Sequence, residues 1–296
     1  MTQRLFVAAL SLAALLVPAA AFARIRVVAS TTDIASIASS VGGDQVEVFS
    51  IAKPNADPHR IEALPSYMVK VSRAQVFLEV GLQLDQWADA IVDGSRNDKI
   101  LKVDCSQGVN VLEKPARVDA SMGDVHPNGN PHYWLDPRNG AVVARNAAEA
   151  FARIDAAHAG AYRERAEAFG KECRAAYERN KEIAEKLPSR AIFTYHRSWT
   201  YFADAFGLEV VATVEPVPGI PPTARHLTEL EQLSKSRKVL LLLEEPYFSK
   251  DAGQFLQRGC GVRPVVASSA CNTDAAGSYL AHFDAVLAAL AGGTGK

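Results

Sequence analysis

Three histidines stand far apart in this chain, each inside an uncommon local sequence. They are Asp57-Pro58-His59, Asn130-Pro131-His132-Tyr133-Trp134 and Tyr195-His196-Arg197-Ser198-Trp199. Neutral imidazole is a versatile ligand for borderline metals such as zinc. A lone histidine is more often a surface or hydrogen-bonded core residue than a ligand. Here the context raises the metal reading. His59 and His132 each follow a proline, which fixes the backbone and narrows the range of the side chain. Both fall in loops after strands, where α/β folds place binding groups, and His196 follows a strand just before a helix. The three therefore project from comparable sheet edges toward one cleft.

The other histidines differ. His158 lies in an Ala-rich helical stretch, His226 beside Arg225 on an expected helix, and His282 in the last helix. All three read as solvated or structural. His126, in a polar loop shortly before His132, reads as a solvated loop residue, with a transient metal contact as the sharper alternative. Glu244 and Glu245 follow a very apolar strand. They read as strand-end carboxylates or as acceptors orienting a histidine, with direct ligation the weaker alternative. No Cys-x-x-Cys spacing and no His-Glu-x-x-His helix occur, so a thiolate site is not expected and that protease motif is absent.

The elements that must position these histidines alternate. Strands are expected at 25–30, 46–51, 76–80 and 100–103, with helices between them at 34–41, 66–73 and 84–92. Thr31-Thr32-Asp33 supplies a cap and Gly42-Gly43 a stop. Residues 116–131 form a loop that delivers His132. From 139 to 186 the composition is almost wholly helix-forming, and reads as a shorter helix and a long one broken near His158-Ala159-Gly160. The alternation then restarts: strands at 191–194, 209–214, 239–243 and 262–266, and helices at 199–206, 223–234, 249–257 and 279–290. This is an α/β chain of two doubly wound, mostly parallel lobes joined by a long helix.

At the N-terminus a single Arg4, an apolar run over 5–17 and Ala21-Phe22-Ala23 form a secretory leader, expected to be cut before Arg24. The domains are then a signal peptide at 1–23, a first lobe at 24–138, connecting helices at 139–187 and a second lobe at 188–296. The run is short for a transmembrane span, and no cysteine stands at the cleavage point to carry a lipid. The formal charge of −1 gives no electrostatic case for nucleic acid or an anionic membrane. Four cysteines in an exported chain suggest disulfides. Cys260–Cys271 is the favoured pair, with Cys105–Cys173 left by default.

Taken together, these segments resemble the solute-receptor proteins of bacterial ABC importers for zinc and manganese, of the zinc-uptake type. The resemblance covers essentially the whole chain after the leader, and its most specific part is Asn130-Pro131-His132-Tyr133-Trp134-Leu135-Asp136-Pro137. It implies one metal in a cleft between two α/β lobes linked by a rigid helix, with His59, His132 and His196 as ligands. It implies a periplasmic, monomeric receptor and not an enzyme. The partners would be an ABC permease and, upstream, a periplasmic metallochaperone. Manganese-selective relatives usually carry a carboxylate at the third ligand position. His196 there argues for zinc, with a manganese or iron receptor as the alternative and a three-histidine hydrolase further off. Many relatives also place an aspartate ligand before the last helix. Here Ala267 or Ser268 fills that position, so Asp274, Glu245 or water is left as the fourth ligand.

Overall fold

The computed structural model describes residues 24–119, 122–123 and 126–292. The expected leader lies outside them. The first sheet contains β1 (Ile25–Ala29), β2 (Val46–Ser50), β3 (Val76–Glu79) and β4 (Leu101–Asp104), all parallel in the order β2-β1-β3-β4. The second contains β5 (Ala191–Thr194), β6 (Glu209–Thr213), β7 (Leu241–Glu244) and β8 (Arg263–Val266), parallel in the matching order β6-β5-β7-β8. All eight expected strands are present. Their apolar content follows from position: Leu241, Leu242 and Leu243 are buried, as a parallel strand covered by helices on both faces requires.

Helices fill the crossovers. In the first lobe these are α1 (Thr32–Gly42), α2 (Pro65–Val71) and α3 (Trp87–Ser95). Thr31 caps α1, its hydroxyl accepting from the Ile34 N–H at 3.5 Å. Asp136 caps α4 (Pro137–Ile154), accepting from the Arg138 N–H at 2.8 Å, with Pro137 in the first turn where a missing N–H costs nothing. A single 3₁₀ turn, Ala156–His158, joins α4 to α5 (Ala159–Ala184). These two helices are antiparallel. Glu149 of α4 pairs with Arg163 of α5 at 2.7 Å, and near the other end Ala141 lies against Gly170. Only α5 therefore carries the chain across to the second lobe. At 26 residues it is about 39 Å long. The second lobe adds α6 (Thr200–Phe206), α7 (Ala224–Arg237), α8 (Asp251–Cys260) and α9 (Ser278–Leu290).

The lobes share a core. One apolar cluster runs from Val27 of β1 through Ile34 of α1, Phe151 of α4 and Phe169 of α5 to Phe283 of α9 and Leu243 of β7. A polar seam reinforces it. Thr32 Oγ1 donates to the Cys271 carbonyl at 2.7 Å, Ser36 Oγ to Ala275 at 2.7 Å, and Ser39 Oγ to Asp274 at 2.8 Å. Among the described residues no helix is long and apolar enough to cross a membrane.

The cysteine pairing is corrected: all four are free thiols. Cys260 ends α8 and Cys271 lies beyond β8, so the strand stands between them. Four extended residues span about 13 Å, well beyond the separation a disulfide tolerates. The Cys271 thiol instead donates to the Thr273 carbonyl at 3.2 Å, and the Cys260 thiol to Leu256 at 3.1 Å.

Candidate metal centre

His59, in the loop after β2, is reached through a tight local clamp. Asp57 Oδ1 accepts from the His59 backbone N–H at 3.0 Å and from its ring Nδ1 at 2.9 Å. Pro58 sits between them, and its carbonyl accepts from Trp87 Nε1 at 2.9 Å, which ties the loop to α3. The same device recurs after β4. Asn130 Oδ1 accepts from the His132 backbone N–H at 3.0 Å and from its Nδ1 at 3.0 Å, again across a proline. The amide orientation of Asn130 is set by its Nδ2, which donates to Glu113 Oε2 and to the Arg197 carbonyl, each at 2.9 Å. The residues after His132 fix the segment in both lobes. Tyr133 Oη donates to Val80 O, and Trp134 Nε1 to Ser269 O, each at 2.7 Å.

His196 is held differently. It follows β5, and its Nδ1 meets Glu215 Oε2, from the loop after β6, at 2.7 Å. Glu215 is itself buried and also accepts from the Gly219 N–H at 3.2 Å. Tyr195, the preceding residue, stacks on Phe248 with centroids 4.2 Å apart.

In every case an oxygen acceptor occupies Nδ1. That fixes the tautomer with its proton on Nδ1 and leaves the Nε2 lone pair available. The Nε2 atoms of His59 and His132 are buried and have no hydrogen-bond partner. One nitrogen from each of the three rings lies within 4.8 Å of the others. Ring centroids are 5.0 Å apart for His59 and His132, 5.4 Å for His59 and His196, and 5.6 Å for His132 and His196. A zinc ion with bonds of about 2.0–2.1 Å holds tetrahedral nitrogens about 3.3 Å apart, a separation within the 4.8 Å bound on these atoms. Beside it is a cavity of ≈ 40 Å³, bordered by His126, His132, His196 and Pro218. About 10–15 Å³ of such space admits one water, so there is room here for a small ion or solvent.

The electrostatics divide the site. Burial, together with the charges of His59, His196 and His126, holds His132 well below the usual imidazole range. Burial also pulls His196 down, but the hydrogen bond to Glu215 and the charges of Glu245 and Glu215 outweigh it, and its pKa is raised. For Asp57, burial is outweighed by its bonds to His59, and the carboxyl is lowered.

Glu245 follows β7, the central strand beside β5, and is fully buried with neither carboxylate oxygen hydrogen-bonded. Burial raises its pKa to about 7 against the opposing pull of His196. It is not among the groups whose ligand atoms converge with the three histidines. Glu244 faces away, toward Gly253 of α8 and Lys250. Asp274 accepts from Ser39 of α1 through its backbone carbonyl, and it is not in the converging group. Ser268, at the position where the resemblance implies an aspartate, donates to the Pro54 carbonyl across the lobes.

The family model described as "Zinc-uptake complex component A periplasmic" matches residues 27–293. The chain belongs to that family. Its members are solute-binding receptors of metal ABC importers, which work with permease and ATPase subunits and are not enzymes. Over 218 residues the chain is 28% identical to the iron-binding protein YfeA of Yersinia pestis, covering 72% of this chain and 67% of that one. It is 26% identical over 233 residues to the manganese ABC transporter substrate-binding lipoprotein PsaA of Streptococcus pneumoniae, covering 75% and 72%. A crystal structure of ZnuA superposes with a TM-score of 0.79 at 24% identity, over 91% of this chain and 99% of that one, which establishes the shared fold. The hydrolase alternative falls with family membership.

The three histidines singled out in the sequence are brought together by the fold, and what holds them was not foreseen. Asp57 and Asn130 were legible as the residues two before each histidine, whose short side chains can fold back on the backbone. Glu215 carries no local signal, since 19 residues and a strand separate it from His196.

Proposed function

We propose that this protein is an exported receptor that captures Zn²⁺ with His59, His132 and His196 and presents it to an ABC permease. The observation that carries the reading is the common presentation of the rings: three imidazoles with Nδ1 occupied by oxygen acceptors and ligand nitrogens within 4.8 Å of one another. A nitrogen set without a carboxylate in the cluster suits zinc better than manganese. The relatives named for iron and manganese make that selectivity the point to test. The leader at 1–23 and cleavage before Arg24 belong to the same reading, which places the mature protein in the periplasm.

The deciding experiment is metal competition by calorimetry on chelator-stripped protein. Zinc should bind far more tightly than manganese. His59→Ala, His132→Ala and His196→Ala should each lower zinc affinity by more than about a thousandfold, while His158→Ala leaves it unchanged. Manganese binding as tight as zinc would overturn the assignment. Release proceeds through the loops that carry the histidines, so hydrogen exchange around residues 54–60 and 126–133 should slow on zinc binding.

A further inference from the structure

We propose that Ser268 is a positioning residue for His59, its hydroxyl holding the His59 loop against the second lobe and slowing the loss of metal from the site. The proposal rests on the three-histidine reading above. Ser268 Oγ donates to the Pro54 carbonyl, at the head of the turn that delivers Asp57-Pro58-His59. Among the described residues this is the one hydrogen bond between residues 53–60 and the second lobe.

The two histidines of the first lobe differ in this respect. The His132 segment is tied to the second lobe repeatedly. Asn130 Nδ2 donates to the Arg197 carbonyl and Tyr201 Oη to the Asn130 carbonyl, each at 2.9 Å, and Trp134 Nε1 donates to the Ser269 carbonyl at 2.7 Å. The His59 loop has its Asp57 clamp and the Trp87 bond to Pro58, both within the first lobe. Across the cleft it depends on Ser268.

The donor itself is held firmly. Ser268 Oγ accepts from the Ala270 N–H at 3.0 Å, which directs its own proton at Pro54. The backbone around it is braced on both sides. The Ala267 N–H donates to the Glu244 carbonyl at 3.0 Å, buried His282 of α9 bonds to the Ser268 backbone, and the Cys271 N–H donates to Asp33 Oδ1 at 3.0 Å. Ser268 is thus a fixed post, and the His59 loop is the part that moves when the bond breaks. An ion gripped from both lobes is freed when one ring departs. The ring with the fewest ties across the cleft leaves first, and that ring is His59. Removing the hydroxyl leaves the Asp57 clamp intact, so it acts on the rate of release and not on the ligand set.

The test uses the mature protein loaded with Zn²⁺ and chased with excess chelator, comparing wild type, Ser268→Ala and Ser268→Thr. Ser268→Ala should release zinc at least about threefold faster, the worth of one hydrogen bond. Ser268→Thr keeps the hydroxyl and should release it at the wild-type rate. Hydrogen exchange in zinc-loaded Ser268→Ala should quicken at residues 55–60 and stay unchanged at 130–134. The visible spectrum of the Co²⁺ form should be the same in all three proteins. A rate change below about threefold overturns the proposal. So does release from Ser268→Thr as fast as from Ser268→Ala, quickened exchange spread equally over both segments, or an altered Co²⁺ spectrum. Each of these results leaves the three-histidine reading standing, whereas retention of zinc by His59→Ala would sink the reading on which the proposal rests.

Discussion

His59 and His132 are gripped by their own chain, whereas His196 is gripped by another strand. In the first lobe an acceptor two residues upstream closes on both the backbone and the ring of its histidine, with a proline between. In the second lobe the acceptor is Glu215, delivered by the loop after β6. The local clamp uses only atoms of its own tripeptide. The remote one depends on the register of β5 against β6, where the pairing shifts between Ile192 and Phe193. Three similar rings thus need not be equally robustly held. Charge also separates His132 from His196. Asn130 leaves His132 beside a neutral amide, while Glu215 helps raise the pKa of His196.

The comparison can be broken by substitution. Glu215→Ala should have the largest effect, lowering zinc affinity about a hundredfold, because nothing local replaces the lost orientation. The pH profile comes next. Below its raised pKa the metal-free protein carries a proton on His196 that zinc must displace. Affinity should therefore fall as pH drops through that range, approaching tenfold per pH unit. His132, already neutral there, adds nothing. In Glu215→Ala the fall should shift to lower pH, and zinc competition across about pH 5 to 8 would register both. Asp57→Asn should cost less than about tenfold, since it installs the acceptor that Asn130 already supplies. If it costs as much as Glu215→Ala, local and remote support carry equal weight. Smallest of all, a reductant should leave the melting temperature unchanged. A disulfide would have contributed about 2–4 kcal/mol, which its reduction would reveal as a drop of several degrees.

The sequence carried the alternation of strands and helices clearly, because buried parallel strands such as Leu241-Leu242-Leu243 are continuous apolar runs with few competing readings. The three histidines were legible for a similar reason: proline and short polar neighbours mark a fixed turn. Other features depend on packing that no local pattern encodes. The antiparallel pairing of α4 with α5 emerges only when Glu149 meets Arg163. Cys260 and Cys271 looked close because they are close in sequence, but an intervening strand is a rigid spacer. Asp274 stood open as a ligand in the sequence, but its carboxylate is not in the group whose ligand atoms converge.

The continuous helix α5 has a consequence for traffic at the membrane. A receptor whose two sheets share one rod and one core has little freedom to advertise its cargo by bending. With that rigidity, a loaded copy and an empty copy would offer a transporter nearly the same outer contours. Empty copies would then occupy the same docking place as full ones. Uptake would rise with receptor abundance only to the point where spent receptors begin to queue.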